Sequence, residues 1–338
     1  MSNKTLSVIV PVYNVAQFLP KCLETFCIPE IQDDLEVLII NDGSTDESAV
    51  IARKYESNWP YIFHLYTKQN GGHGSAINLG IQMATGKYLK VVDGDDWIDQ
   101  KAFTELLNYL KTHLCDIVAT EYCWVDCKTA RLLKAPGCAF SGIQYGKIYP
   151  FEDICEKIYL KIHNITVRTS ILKKSCPPLD EFCFYVDNEF VLYPAPYTKT
   201  ISFLSETVYM YRIGLTSQSV NIKKMQEKES QHYRVLCHLL EYFDSQAREH
   251  LSPKVGKYIA NGIARVLASQ FKIYLSFKPS REYKYKLRQL DSYIFKYFPE
   301  VYYSMQNKAV ILLRISHYKL YAVASITLRL MLKIRRKE

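Results

Sequence analysis

The sequence predicts an α/β fold, in which a mostly parallel mixed sheet is flanked by helices and followed by a helical, basic C-terminal region. In roughly the first hundred residues, short apolar strands alternate with helical stretches, which implies βαβ crossovers. Polar clusters follow these strands, at the edge where parallel sheets bind ligands. Hydrophobic residues make up 48% and charged residues 23% of the 338 residues, which excludes a disordered or fibrous chain.

The expected elements follow from the spacing of apolar residues. Buried strands are continuous apolar runs, whereas helices repeat apolar residues three or four apart. The N-terminal strands are predicted at Leu6–Val12, Leu35–Ile40, Tyr61–Tyr66 and Tyr88–Val92. The helices between and after them are predicted at Ala16–Phe26, Asp46–Tyr55, Ser75–Ala84 and Lys101–Lys111. Beyond them we expect strands at Cys115–Tyr122 and Ile201–Met210, and short helices at Asp153–Lys161 and Asn188–Tyr193.

Charge is distributed unevenly along the chain. Residues 1–220 carry 20 Lys and Arg against 25 Asp and Glu, whereas residues 221–338 carry 23 against nine, a net charge of +14. This asymmetry indicates that the C-terminal region meets something anionic, either a membrane surface or a nucleic acid. The apolar and basic stretch from Leu312 to Lys337 favours an amphipathic helix on an anionic membrane, and simple packing of that helix is the alternative.

From the residues present we expect neither an export signal nor a membrane-spanning segment. No uncharged apolar stretch is long enough to span a bilayer, and the first strand is too short for a signal peptide. The ten cysteines form no Cys-x-x-Cys pair and are typical of reduced thiols. We therefore expect a cytoplasmic protein that is peripheral on the inner face of the plasma membrane.

The sharpest chemical feature is Asp93-Gly-Asp95-Asp96, directly after a predicted strand. Three carboxylates within four residues repel one another unless a cation or hydrogen-bond donors offset their charge. Mg²⁺ and Mn²⁺ prefer oxygen ligands and often share them with substrate phosphates. The alternative is a solvated acidic turn in which Asp96 and Asp99 cap the following helix.

Two more loops and one aromatic residue follow strands. In Asn41–Asp46, Asp46 suits the N-cap of the next helix, which leaves Asp42 free to accept hydrogen bonds from a base or ribose. The glycine-rich loop Asn70–Ser75 precedes a helix and can offer backbone N–H groups to a phosphate, although it lacks the P-loop ending. Tyr13 can stack on a base or simply pack.

Four segments, in order and spacing, resemble the motifs of family 2 glycosyltransferases with the GT-A fold. They are Ser7–Asn14, Asn41–Asp46, Asn70–Gly80 and Ala84–Trp97. A weaker match continues to about residue 220 through Tyr185-Val-Asp187 and Tyr209–Ser219. The resemblance implies a GT-A domain over residues 1–220, with a nucleotide-sugar half at 1–115 and an acceptor half at 116–220. The helical, basic, Tyr-rich region 221–338 follows it.

The resemblance also implies residue roles. The residues expected to bind the donor are Pro11, Tyr13, Asp42, Asn70 and Asp93. A Mn²⁺ or Mg²⁺ ion is expected to bind to Asp95, with Asp93 as the second candidate ligand. Asp187 is the expected general base and Glu189 its rival, and because a helix begins here, we expect only one of them to reach the acceptor. Many members have an Arg where this chain has Ile77, and His73 or Lys68 is the candidate substitute.

The function implied by the resemblance is inverting, metal-dependent transfer of one sugar from a UDP-sugar, by a hexosyl- or N-acetylhexosaminyltransferase. The acceptor would be a hydroxyl of a glycan or lipid-linked molecule in bacterial cell-surface polysaccharide synthesis. The Gln-x-x-Arg-Trp segment of processive members is absent, so single addition is expected. The alternatives are a nucleotidyltransferase and a nucleic-acid-binding protein. Neither a phosphate-gripping signature near the N-terminus nor a nucleic-acid-binding motif is present, so no nucleic-acid partner is expected.

Overall fold

The computed structural model describes residues 4–127, 129, 131–134, 140, 142–214, 221–248 and 251–334. The chain divides into two compact units, residues 1–215 and 216–338. This boundary lies close to the predicted one at 220, and the division of the first unit at residue 115 stays a prediction.

The first unit contains one mixed sheet. Its described strands are β1 Leu6–Val12, β2 Leu35–Asn41, β3 Phe63–Thr67, β4 Tyr88–Val91, β5 Trp97–Ile98, β6 Ile117–Asp126, β7 Leu132–Lys134, β8 Ile148–Pro150, β9 Ile165–Arg168 and β10 Thr200–Ile213. Their order is β3-β2-β1-β4-β9-β6-β10-β5, with β7 beside β6 and β8 beside β10. The neighbours from β3 to β4 are parallel, as are β6 and β10, while β9 runs antiparallel between β4 and β6. The predicted mixed, mostly parallel sheet is confirmed.

Helices flank this sheet and make up the second unit. In the first unit they are α1 Leu19–Glu24, α2 Ser48–Asn58, α3 His73–Met83, α4 Gln100–Thr112, α5 Phe151–Ile154, α6 Thr169–Lys174 and α7 Asp187–Leu192. In the second unit they are α8 Ile222–Glu227, α9 Glu229–Arg248, α10 Pro253–Ser276, α11 Arg281–Tyr297, α12 Pro299–Tyr303, α13 Lys308–Ile315 and α14 Tyr321–Ile334. The predicted helical C-terminal region is therefore confirmed. Within the described ranges, no helix combines the length and the apolar character needed to cross a bilayer.

The sheet positions the ends of its strands. All seven residues of β1 are buried, because β1 lies between β2 and β4 and is covered on both faces. The carboxyl ends of β1, β2 and β4 lie at the same edge, since these strands are parallel. The loops that begin at Tyr13, Asp42 and Val92 therefore meet at one place.

Two predicted helices differ from the structure. The first was expected over Ala16–Phe26, but α1 begins only at Leu19, with proline in its first turn. The helix expected over Asp153–Lys161 is wrong, because α5 ends at Ile154 and a 3₁₀ turn over Cys155–Lys157 ends the helical run. Residues 158 and 160 are buried on either side of an exposed residue 159, and this period of two belongs to extended backbone.

Candidate active site

The acidic loop, Asp93–Asp96, follows β4 and is hydrogen-bonded to β10. The Tyr209 hydroxyl donates to Asp96 Oδ2 at 2.6 Å, and the Arg212 backbone N–H donates to Asp96 Oδ1 at 2.6 Å. The Asp93 backbone N–H donates to the Tyr209 oxygen at 3.2 Å. Asp96 is buried, so it fixes the loop and does not cap α4. Asp99 is the cap of α4, where its carboxylate accepts from Ala102 N–H at 2.9 Å.

Arg212 supports the same loop with its side chain. Its Nε donates to the Asp95 carbonyl oxygen at 2.7 Å. Its guanidinium lies 4.7 Å from the ring centroids of both Phe18 and Trp97, a cation–π arrangement. The Tyr209–Arg212 segment therefore holds the acidic loop in place.

An ion pair links the acidic loop to the start of α3. His73 is the first residue of α3, and its Nε2 lies 2.8 Å from Asp93 Oδ1. Burial alone would raise the pKa of Asp93, but the His73 imidazole outweighs it and the pKa is lowered. Burial alone would lower the pKa of His73, but Asp93 outweighs it and the pKa is raised, with a further contribution from Asp187. His73 therefore ties the acidic loop to the start of α3.

The remaining carboxylates of the loop lack sufficient countercharge. Burial and then Asp93 raise the pKa of Asp95 to about 6. Burial, followed by the other two carboxylates, raises the pKa of Asp96 well above its usual range. A divalent cation beside Asp93 and Asp95 would relieve this repulsion.

His163 is a candidate ligand that the sequence did not indicate. Donor atoms of Asp93, Asp96 and His163 lie within 4.8 Å of one another. The His163 Nδ1 is buried and has no hydrogen-bond partner among the described residues. Burial lowers the pKa of His163 to about 4, so its imidazole is neutral at pH 7 and able to bind a metal. Both Asp96 oxygens already accept hydrogen bonds, and the binding of the same cation by Asp95 stays a prediction.

A buried lysine holds the turn that carries His163. Lys90 lies in β4 and is fully buried. Its Nζ donates to the carbonyl oxygens of His163 at 2.9 Å and Ile165 at 3.3 Å. Burial lowers the pKa of Lys90 to about 7. In the sequence, the one sign of this role is that Lys90 interrupts an otherwise apolar predicted strand.

Asp42 is buried and engaged, so the expectation that its carboxylate is free is wrong. It accepts from Lys68 Nζ at 2.8 Å, from Gly71 N–H at 2.9 Å and from Gly72 N–H at 2.7 Å. The positive φ of Gly72, 85°, turns the glycine-rich loop back onto Asp42. Asn70 Nδ2 donates to the Asp42 carbonyl oxygen at 3.0 Å. The structure thus shows that Asp42 and Asn70 hold the glycine-rich loop, and their contact with a nucleotide-sugar donor stays a prediction.

The loop after β1 offers an exposed aromatic ring. Tyr13 is 51% exposed at the carboxyl end of the strand. Pro11 is buried, and its carbonyl oxygen accepts from Gly94 N–H at 3.3 Å, so its observed contact is with the acidic loop. Asn14 Oδ1 accepts from Thr45 N–H at 2.8 Å and joins this loop to the one after β2. Asp46 accepts from backbone N–H groups at the start of α2 and in the loop after β1.

The structure separates the two candidate bases, as expected from a helix start. Asp187 is the first residue of α7, and its side chain is exposed. Desolvation of its carboxylate by the surrounding protein, together with Asp93, outweighs the attraction of His73 and raises its pKa. Glu189 is fully buried, and its Oε2 accepts from Asp180 N–H at 2.9 Å. Burial raises the pKa of Glu189 to about 8. Of the two, only Asp187 is open to an acceptor.

The loop before α7 is strained and packed on the glycine-rich loop. Phe182 and Tyr185 have positive φ values of 54° and 74°. Phe182 N–H donates to the Gly71 carbonyl oxygen at 2.5 Å. A Cβ atom at Gly74 would lie 2.1 Å from the Asp180 carbonyl oxygen, so only glycine fits there. Such strain is typical of functional loops, and here the loop that precedes Asp187 packs on the start of α3.

Residues 7–174 match the family model described as glycosyl transferase family 2. The chain belongs to glycosyltransferase family 2. The resemblance inferred from the four motifs is thereby confirmed, and the matched segment contains both the acidic loop and the glycine-rich loop.

Curated relatives share the matched region. The chain is 33% identical over 130 residues to the minor teichoic acid biosynthesis protein GgaB of Bacillus subtilis, covering 38% of this chain and 14% of that protein. It is 37% identical over 123 residues to the uncharacterized glycosyltransferase YibD of Escherichia coli, covering 36% of this chain and 35% of that protein. The chain therefore spans about a third or less of the length of these relatives.

Solved structures share the fold of this family 2 chain. The crystal structure of S. aureus TarS 1–349 in complex with UDP-GlcNAc has a TM-score of 0.66 at 18% identity. The similarity covers 98% of this chain and 91% of that one. The predicted GT-A fold is confirmed.

Proposed function

We propose that this chain is a nucleotide-sugar glycosyltransferase that moves one sugar, with inversion, from a UDP-sugar to a hydroxyl of a glycan or lipid-linked acceptor. The observation that carries the proposal is the ion pair between His73 Nε2 and Asp93 Oδ1, which lie 2.8 Å apart. It joins the acidic loop to the glycine-rich loop at the ligand-binding edge of the sheet. Family membership and the UDP-GlcNAc complex of the structural neighbour TarS support a nucleotide-sugar donor.

Donor binding follows from the loops at the strand ends. The exposed ring of Tyr13 stacks on the base, and Asp93 contacts the ribose. Asp42 and Asn70 hold the glycine-rich loop in the conformation that binds the donor. Pro11 supports the acidic loop through its carbonyl oxygen.

Asp95 and Asp93 would hold a Mn²⁺ or Mg²⁺ ion, and His163 is a further candidate ligand because its buried Nδ1 has no hydrogen-bond partner among the described residues. When bound, such an ion supplies positive charge for the diphosphate. His73, the first residue of α3, adds positive charge of its own and is the candidate substitute for the Arg that many members have at the position of Ile77.

Asp187 takes the proton of the acceptor hydroxyl as that hydroxyl attacks the donor sugar at C1. The bond from C1 to the diphosphate breaks, and the nucleoside diphosphate leaves with the electron pair. Inversion is the expected outcome because Asp187 acts as a base on the acceptor, while its rival Glu189 is buried and cannot attack the sugar. The raised pKa of Asp187 brings it nearer to the working pH, which favours a general base.

The variant Asp187→Asn tests this assignment. Donor binding should stay within about threefold of wild type, while turnover falls by at least about 10²-fold, as expected when a general base is lost. UDP calorimetry measures binding, and release of UDP from a panel of UDP-, GDP- and dTDP-sugars with candidate acceptors measures turnover. Glu181→Gln, at an exposed carboxylate in the preceding loop, is the matched control and should retain turnover. A near-normal turnover for Asp187→Asn would show that another group is the base.

The proposal includes an anionic membrane surface as partner. Ile315 and Ile326 are exposed on α13 and α14, and the basic residues 335–337 of the predicted tail lie outside the described residues. Liposome flotation at low and high salt tests it. The full chain should float with anionic but not neutral vesicles at low salt. Removal of residues 316–338 should abolish flotation while circular dichroism shows that the remaining helices stay folded. Failure of the full chain to float with anionic vesicles would make α14 a packing helix only.

A further inference from the structure

A large apolar groove lies within the second unit. Its volume is about 830 Å³, and it is bounded by α10, α13 and α14. Small residues of α10, Ala264 and Ala268, form part of its lining and leave its interior open. A volume of this size is within the range of sites that bind small organic molecules, roughly 300–1,000 Å³.

The walls of the groove expose apolar side chains. Leu312 of α13 is 53% exposed, and Val323 and Met331 of α14 are 60% and 56% exposed. Exposed apolar side chains gathered around a concavity mark an interaction site, because leaving them in water is unfavourable. The shape and the lining of the groove suit a flexible hydrocarbon chain.

Cations accompany the apolar walls. Arg265 and Lys272 line the groove, and seven residues of helix place them on the same side of α10, about 10 Å apart along its axis. The described residues that line the groove include no Asp or Glu. A hydrocarbon chain with an anionic head therefore matches both the walls and the charge.

We propose that this groove binds a single lipid phosphate. Its hydrocarbon chain would lie between α10 and α14, and its phosphate would contact Arg265 and Lys272. A second copy of the chain is a poorer occupant, because it would bring the same two cations and the same net charge of +14 in residues 221–338 to the interface. The site is discrete and lies in the second unit, so it can fail while the proposed transferase function stands.

Calorimetry of the full-length protein tests the proposal, with dodecyl phosphate below its micellar concentration as the probe. Dodecyl maltoside supplies the same hydrocarbon chain with a neutral head, and inorganic phosphate supplies the head group alone. We expect one dodecyl phosphate per chain, affinity for dodecyl maltoside that is at least about fivefold weaker, and no binding of inorganic phosphate, since one cation near an anionic lipid contributes about a fivefold effect.

Variants separate the groove from the general charge of the unit. Ala268→Phe, which fills the groove, should abolish binding, and Thr327→Trp on the opposite wall should do the same if the first variant fails to fold. Lys272→Gln should reduce the affinity for dodecyl phosphate towards that for dodecyl maltoside. Lys257→Gln, on the same helix but outside the groove, should leave it unchanged.

Three results would overturn the proposal. One is equal affinity for the phosphate and maltoside probes. Another is unchanged dodecyl phosphate binding in Ala268→Phe and Thr327→Trp. The third is a dimer in solution that Ala268→Phe dissociates, which would make the groove an interface between copies.

Discussion

Replacement of Lys90 by methionine should change how the stability of the first unit depends on pH. Lys90 is fully buried, and its Nζ has the carbonyl oxygens of His163 and Ile165 as hydrogen-bond partners. Methionine has similar length and no charge. It removes the cost of burying an ammonium group but leaves two carbonyl oxygens without that donor. Because these two effects oppose each other, the change in stability at a single pH value does not separate them.

The pH dependence is decisive because its sign and size follow from the lysine alone. Burial lowers the pKa of Lys90 from 10.5 to about 7. Between these values the unfolded chain binds a proton that the folded chain does not, so the lysine makes stability rise with pH by up to about 1.4 kcal/mol per pH unit. Below pH 7 the burial cost is fully present. From pH 7.5 to 9.5, wild type should therefore gain about 2–3 kcal/mol relative to Lys90→Met.

Urea unfolding followed by tryptophan fluorescence measures this difference. The three tryptophans, Trp59, Trp97 and Trp124, all lie in the first unit, so the signal reports on that unit. Other titrating groups are common to both proteins and cancel in the difference. Lys87→Met, at an exposed lysine three residues earlier, should keep the wild-type pH dependence. Parallel stability curves for wild type and Lys90→Met would refute the assignment of a neutral buried lysine.

Three further changes test the site. In the wild type, stability should fall as pH rises from about 4.5 to 8, because the folded Glu189 carboxyl keeps its proton up to about pH 8, and Glu189→Gln should remove this loss. In urea unfolding, the free energy of the variant relative to wild type should therefore rise by about 2–3 kcal/mol between pH 5 and pH 7.5. The same difference at both pH values would place this carboxylate in solvent. Tyr209→Phe removes the hydroxyl that donates to Asp96 and should cost about 1–3 kcal/mol of unfolding free energy; a neutral result would contradict that hydrogen bond. Gly74→Ala would set a Cβ atom 2.1 Å from the Asp180 carbonyl oxygen, so it should lower the free energy of unfolding by about 1–3 kcal/mol and weaken UDP binding. Wild-type stability and wild-type UDP affinity in this variant would show that the glycine-rich loop and the loop before α7 do not pack together.

Local patterns in the sequence predict the sheet well. The apolar run Leu6–Val12 coincides with β1, because a strand covered on both faces must be apolar throughout. The polar groups at Asp42 and Asp93 lie at the predicted edge, since parallel strands bring their carboxyl ends together. The helix start at Asp187 correctly separates an exposed carboxylate from the buried Glu189.

Contacts between distant parts of the chain were not predictable from local patterns. Asp96 suits a helix cap by its position, but its carboxylate accepts from a backbone N–H 116 residues away, at Arg212. His163 enters the site through a turn held by Lys90, 73 residues earlier, and no motif marks it. Asp42 was expected to be free because nothing near it in the sequence shows that the glycine-rich loop folds back to donate to it. Each error concerns which donors a carboxylate meets, and this is decided by tertiary packing.

The central claim is that the acidic loop binds a nucleotide sugar through a divalent cation on Asp95. Calorimetry of UDP binding with and without Mn²⁺ tests it most directly, at pH 8 so that Asp95, with a pKa of about 6, is ionised. Asp99→Asn is the matched control, because asparagine caps α4 as well as aspartate does. Wild type and Asp99→Asn should bind UDP at least about tenfold more tightly with Mn²⁺, and Asp95→Asn should lose this dependence because its amide lacks the charge that attracts the cation. Full Mn²⁺ dependence in Asp95→Asn, or UDP binding by wild type that ignores the ion, would contradict it.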